Sequence, residues 1–292
     1  MKRLPVLRNV DRLEEAAALD PAVEKTRGVV DAVLRPRWLR DLLHGVPLGH
    51  PVHPLGVHVP LGAWISAGVL DALPGTEKAS RALVGVGVLG ASGTAVAGFA
   101  DWSKLDEKQQ RVGIVHAAVN IVATGFFAAS FVQRSRGKHT SGKVLSYAGL
   151  AIASGGGYLG GHMTYRQAAG VSHAPDVEAT FPGGWQQLAP LSELADGALK
   201  KRVVADTEVV VFRRGDRVSV LSNTCSHLGA ELHDGYVVGD DSTPGGACIE
   251  CPWHQSAFSL DTGEVIHGPA TSPQPRFESR VVDGAVEIRL PR

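Results

Sequence analysis

Cys225-Ser226-His227 and Cys251-Pro252-Trp253-His254 each set one thiol beside one imidazole, and together they supply two sulfur and two nitrogen donors. Zinc fingers usually keep like ligands together, two cysteines followed by two histidines. The mixed pairing suits a two-iron cluster with both cysteines on one iron and both histidines on the other. Thiolates are anionic and imidazoles bind neutral. Exchanging two of the former for two of the latter leaves such a cluster about two charges less negative, so it accepts an electron more readily. The outer N–H of each imidazole can titrate, which links potential to pH. A structural zinc site would use the same four donors. Cys248 forms a lone C-x-x-C with Cys251, with no second such pair to complete a ribbon, and reads as a compact buried strand residue.

These strings resemble the cluster loops of the Rieske [2Fe–2S] family, over roughly Trp185 to Leu290. His227-Leu228-Gly229 is similar to the first loop and the run Cys251 to Phe258 to the second. Gly268-Pro269-Ala270 is similar to the proline loop that covers the cluster in that family. The resemblance implies a [2Fe–2S] cofactor held by Cys225, His227, Cys251 and His254. It also implies a potential in the range of about −150 to +300 mV, against roughly −400 mV for all-cysteine plant-type ferredoxins. Two departures matter. Between His227 and Cys251 lie 23 residues, 228 to 250, more than the family usually has. The excess falls in Gly239-Asp240-Asp241-Ser242-Thr243-Pro244-Gly245-Gly246, a turn-rich hairpin extension. High-potential respiratory members join their loops by a disulfide, and here Ala230 and Trp253 occupy those places. Phe258, without a hydroxyl, stands where those members aim a donor at a cysteine sulfur, while Ser256 remains to reach a bridging sulfide. Fewer donors imply a potential below the respiratory type. Three cysteines give no disulfide framework.

The elements that would position this site are short strands. Residues 208–214 and 217–221 flank a Gly215-Asp216 turn, residues 280–288 repeat the pattern around Asp283-Gly284, and Asp261 to Val265 reads as another hairpin turn. The first part of the chain is a different material, so the 20% charged residues and net charge of zero average over two unlike halves. No Asp, Glu, Lys or Arg occurs between Asp41 and Asp71, or within 82–100, 112–132 and 144–165. A bilayer crossing takes about 20 apolar residues, and a buried soluble bundle would show one charged face on each helix. The expected fold class is therefore a membrane α-helical bundle of four transmembrane helices, near 55–73, 82–100, 112–132 and 144–163, followed by an all-β Rieske-type domain. Glycines crowd the second and fourth spans (Gly85, Gly87, Gly90, Gly93, Gly98; Gly155, Gly156, Gly157, Gly160, Gly161), as close helix approach in lipid requires. The expected divisions are an amphipathic interfacial segment 1–45, the spans 46–165, a linker 166–184 and the cluster domain 185–292.

The string Gly49-His50-Pro51-Val52-His53-Pro54-Leu55-Gly56-Val57-His58-Val59-Pro60-Leu61-Gly62 resembles the start of a bacterial membrane family, DUF2231, and Leu159 to Tyr165 its last span. The resemblance covers roughly 45–170 and implies a four-helix membrane domain without supplying an activity. Basic residues near the spans bias both chain ends to the cytoplasm. Arg35, Arg37, Arg40, Lys104, Lys108, Arg111 and Arg166 stand against Lys78, Arg81, Arg134, Arg136, Lys138 and Lys143. The expected location is a multi-pass inner (plasma) membrane protein with a cytoplasmic cluster domain. His58, His116 and His162 fall at that same end of three spans. His50 and His53 approach the level and Asn120 lies one turn below His116. Ionisable residues inside spans are costly and mark functional paths, so these three histidines form a candidate second site for b-type haem, a metal ion or a quinone. Interfacial hydrogen bonding is the bland reading.

The expected activity is one-electron transfer between a soluble donor, a ferredoxin or reductase, and a membrane redox partner, rather than stand-alone catalysis. Redox sensing or scaffolding is the alternative. A Rieske oxygenase needs a further mononuclear iron. Asp41, His44 and His50 have a superficially suitable spacing, but they precede the cluster domain, whereas an iron domain would follow it. No phosphate-binding glycine loop points to a nucleotide cofactor, and nothing points to nucleic acid.

Overall fold

A computed structural model describes residues 5–240, 242–243 and 245–291; Asp241 and Pro244 of the hairpin extension and the first four residues lie outside this set. The chain divides into two compact units, Met1–Leu39 with Pro51–Gly170, and Arg40–His50 with Val171–Arg292.

The helical unit contains α1 (Pro5–Glu14), α2 (Asp20–Val33), the first turn of α3 (Arg37–His44), α4 (Val52–Gly56), α5 (His58–Leu70), α6 (Glu77–Trp102), α7 (Glu107–Ser135) and α8 (His139–Gln167). Asp106 and Gln109 start α7 with a capping box, each side chain bonding the other's backbone N–H. Among the described helices two, not the expected four, are long and apolar enough to cross a bilayer: α6 and α7, with mean hydropathy 1.7 and 1.8. The expected first span breaks at Val57 between α4 and α5, leaving α5 with 13 residues. The 29-residue α8 dilutes its apolar side chains with glycine and tyrosine.

Small residues let these helices meet closely. Trp64 stacks on Phe127 with ring centroids 3.9 Å apart. A Cβ at Gly87 would collide with the Trp64 indole, and one at Gly149 would lie 2.9 Å from the Phe127 ring. One end of the unit holds a buried ion pair. Arg134 meets both carboxylate oxygens of Asp71 at 2.7 and 2.5 Å, and also bonds Ser80, Ser130 and Ser146. Both side chains are fully enclosed, at 0% and 1% exposure. Lys143 donates to the Asp71 carbonyl at 2.6 Å.

The basic residues at the other end are also matched. Lys104 pairs with Asp31, Lys108 with Glu15, Arg111 with Asp20 and Arg166 with Asp11, at 2.6–2.9 Å. Val10 and Val23 are buried at 7% and 4% exposure. α1 and α2 are thus folded onto the start of α7, and not spread as a free amphipathic segment.

The second unit is an antiparallel β domain. A six-stranded sheet runs β1 (Gln186–Pro190), β10 (Ala285–Arg289), β9 (Arg276–Val282), β4 (Arg217–Ser222), β3 (Thr207–Arg214), β2 (Leu199–Val204). A four-stranded sheet runs β5 (Tyr236–Val238), β6 (Cys248–Glu250), β7 (Ala257–Ser259), β8 (Val265–His267). The hairpins at 215–216, 261–264 and 283–284 form as their turn residues require; Asp283 and Gly284 take φ of 49° and 78°. Cys248 sits in β6 at 5% exposure. The residues expected as a linker contribute to the core instead. Val177 of the short helix α9 (Val177–Thr180) and Phe181 are buried with Val209, Val220 and Ile288, and Phe181 packs on Phe277 at 4.9 Å.

Candidate cluster site

The two donor strings occupy loops closed by the same backbone device. The Cys225 N–H donates to the Ala230 carbonyl at 2.8 Å, and the Gly229 N–H returns to the Cys225 carbonyl at 2.9 Å. In the second loop the Cys251 N–H donates to Ser256 at 2.8 Å and the Gln255 N–H to Cys251 at 3.1 Å. The fourth residue after each cysteine is left-handed, Gly229 at φ 78° and Gln255 at φ 63°. Glycine takes this conformation freely, whereas Gln255 holds it at a cost of about 1 kcal/mol.

The loops pair the expected donors two by two, thiol with thiol and imidazole with imidazole. Cys225 and Cys251 are buried at 1% and 2% exposure. Their side chains are hydrogen-bond partners, and that bond pushes the Cys225 thiol well above its usual range, with burial adding to the rise. The same bond lowers Cys251 to about 7, helped by the Trp253 and His254 backbone N–H groups. The His227 and His254 rings meet edge to face, with centroids 5.0 Å apart. Burial lowers His227 to about 3, and the facing His254, His44 and His173 reinforce this, so its imidazole is neutral as a metal ligand must be. Two adjacent thiols and two facing imidazoles, that of His227 held neutral by burial, fit a [2Fe–2S] centre with mixed ligands.

Several supporting contacts escape the sequence reading. Gln274, 2% exposed, accepts from the Ser226 N–H at 3.1 Å and donates to the carbonyls of Ser222 and Thr224 at 2.9 and 2.5 Å. The His173 backbone N–H donates to the Ser226 carbonyl at 2.8 Å. Ser256 accepts from the Ala270 N–H at 2.9 Å, tying the second loop to the proline loop. Asp41 comes from the segment that sequence alone assigns ahead of the spans. One of its oxygens accepts from the Gly268 N–H at 3.1 Å, and the other pairs with His267 Nδ1 at 2.8 Å. His44 is 2% exposed, and a Cβ at Gly268 would stand 3.2 Å from its Cβ and from Val46. Asp41 and His44 thus serve the cluster loops, not a mononuclear iron. The only signal in sequence is their place in a charge-poor stretch rich in histidine. Asp41→Ala frees the proline loop from this clamp, so the chelator-driven loss of visible cluster absorbance is expected to accelerate about tenfold, as other outer-shell losses do.

The three histidines expected to form a second site are not brought together. His58 is exposed and its Nδ1 meets the Leu55 carbonyl at 3.0 Å. His162 is committed to Glu14 at 2.8 Å. His116 stands instead beside His53, with Asn120 against its ring. Distance along a helix was legible, but rotation about its axis was not.

Comparison with known proteins agrees with the cluster reading. The Rieske [2Fe-2S] domain model matches residues 184–278, and the model described as a predicted membrane protein (DUF2231) matches 49–173. The anthranilate 1,2-dioxygenase ferredoxin subunit of Burkholderia cepacia is 34% identical over 39% of this chain and 98% of its own length. The 3-phenylpropionate/cinnamic acid dioxygenase ferredoxin subunit of Escherichia coli K12 is 30% identical over 35% of this chain and 90% of its own. A solved structure, the carbazole 1,9a-dioxygenase ferredoxin of Nocardioides aromaticivorans IC177, is 29% identical over 37% of this chain and all of its own, with a TM-score of 0.33. With its paired loops and these matches, the chain belongs to the Rieske [2Fe–2S] family and carries a DUF2231 region ahead of its Rieske domain.

Proposed function

We propose that this protein is a membrane-bound one-electron carrier. In this reading Cys225 and Cys251 hold one iron, His227 and His254 the other, and the bound cluster supplies a single reversible electron. The observation that carries it is the pairing of two buried thiols, and of two facing imidazoles, across one pair of loops. The chain's own residues do the rest. Ser256, Gln274 and Asp41 fix the loops by hydrogen bonds, so little rearrangement accompanies a change of charge. Trp253, 61% exposed beside His254, offers a surface to a soluble donor such as a ferredoxin or reductase.

The helical unit anchors the carrier to a bilayer. α6 and α7 have the length and apolarity of spans, and α5 and α8, packed against them through glycine, complete a four-helix inner-membrane domain with the cluster domain in the cytoplasm. The acceptor is a membrane redox group, a haem, metal ion or quinone, served by histidines of this unit. Relatives named as ferredoxin subunits of dioxygenases support the carrier role rather than an oxygenase.

Stopped-flow mixing of the detergent-purified, cluster-loaded protein with a reduced ferredoxin tests this reading. Bleaching of the cluster band at stoichiometric donor is expected, with reoxidation by a one-electron acceptor. A cluster that neither accepts nor returns an electron, while its redox state alters binding of another protein, would replace electron transfer with redox sensing.

A further inference from the structure

His53 of α4 and His116 of α7 stand edge to face, with ring centroids 6.4 Å apart and planes at 83°. Each gives its Nδ1 to a backbone carbonyl, His116 to Gly156 of α8 at 2.9 Å and His53 to Thr94 of α6 at 3.1 Å. A carbonyl only accepts, so both Nδ1 atoms carry the proton and both Nε2 atoms keep a lone pair. Ligating imidazoles are held in this way, oriented by the bond the other nitrogen makes. A metal–nitrogen bond of about 2 Å on each side, plus the half-width of each ring, places the centres of two imidazoles on opposite sides of one metal about 6 Å apart.

The surroundings are cut to fit these rings. A Cβ at Gly98 would lie 2.7 Å from His53 Nδ1, one at Gly160 would lie 3.2 Å from His116 Cε1, and one at Gly156 would collide with the Asn120 amide. Asn120 Nδ2 donates to the His116 carbonyl at 2.9 Å and lies 3.4 and 3.3 Å from the two ring nitrogens, so it rests over the ring face and leaves the Nε2 lone pair free. A quinone carbonyl needs a donor, which neither Nε2 supplies in this tautomer; a metal needs a lone pair, which both supply.

We propose that His53 and His116 are the paired imidazole ligands of one metal centre inside the helical unit, a haem iron or a bare transition-metal ion. Its role as electron acceptor rests on the carrier function above; the site itself does not.

The test uses full-length protein in detergent, as purified and after titration with haemin or Co(II), with His53→Gln, His116→Gln and His58→Gln variants. Glutamine keeps an N–H for the carbonyl but does not ligate as imidazole does. A Soret band at one haem per chain, or one stoichiometric metal ion beyond the cluster iron, is expected. Its affinity should fall at least about tenfold in H53Q and H116Q and stay unchanged in H58Q. Haem-specific absorbance separates the two sources. No second metal centre under any of these conditions, or one that survives both H53Q and H116Q, overturns the proposal. Cluster EPR recorded on the same samples separates the claims: its loss with the histidine site intact refutes the carrier reading alone.

Discussion

Cys251→Ala is expected to abolish the cluster. The substitution removes one of two buried, hydrogen-bonded sulfurs and leaves Cys225 as the single sulfur on that side. Outer-shell losses alone cost metal sites about 10- to 100-fold, so the loss of a ligand should leave iron below detection and no visible absorbance. Folding of the helical unit should be unaffected, because its cores are built from its own residues. His254→Cys is the informative companion. If iron is retained, an added thiolate makes the cluster more negative, and the potential should fall toward the roughly −400 mV of all-cysteine clusters.

Arg134→Met is expected to destabilise the helical unit by about 3–5 kcal/mol, the usual cost of stranding one member of a buried pair. The stranded group is the Asp71 carboxylate, 1% exposed and left with Ser80 as its side-chain donor. Adding Asp71→Leu should restore much of the loss, since an apolar replacement of both partners removes the uncompensated charge. Thermal unfolding in detergent, followed by the fluorescence of Trp64 and Trp102, measures both effects, and the cluster spectrum serves as the control. An R134M protein that melts with the parent would show that water reaches the pair.

The cluster was legible in sequence because its chemistry is local. Two cysteines and two histidines at fixed spacings within short loops declare their ligand role whatever surrounds them. The β hairpins were legible for a similar reason, since Gly215-Asp216 and Asp283-Gly284 fix the register of their flanking strands. β5 and β6, the strands that precede and follow the 239–246 extension, pair antiparallel. What stayed hidden depends on tertiary placement. Asp41 and His44 precede the helices they adjoin in sequence, yet fold onto the proline loop more than two hundred residues later. Asp71 and Arg134 look like ordinary flanking charges until the fold encloses both. His116 meets His53, while the interruption between α4 and α5 at Val57 leaves His58 exposed.

The most direct measurement is iron content together with low-temperature EPR of the full-length protein, purified in detergent and reduced with dithionite. The assignment of residues 225, 227, 251 and 254 predicts two cluster irons per chain and the rhombic signal of a reduced Rieske centre, both absent in C251A. Zinc in that site, or a signal that persists in C251A, would contradict it.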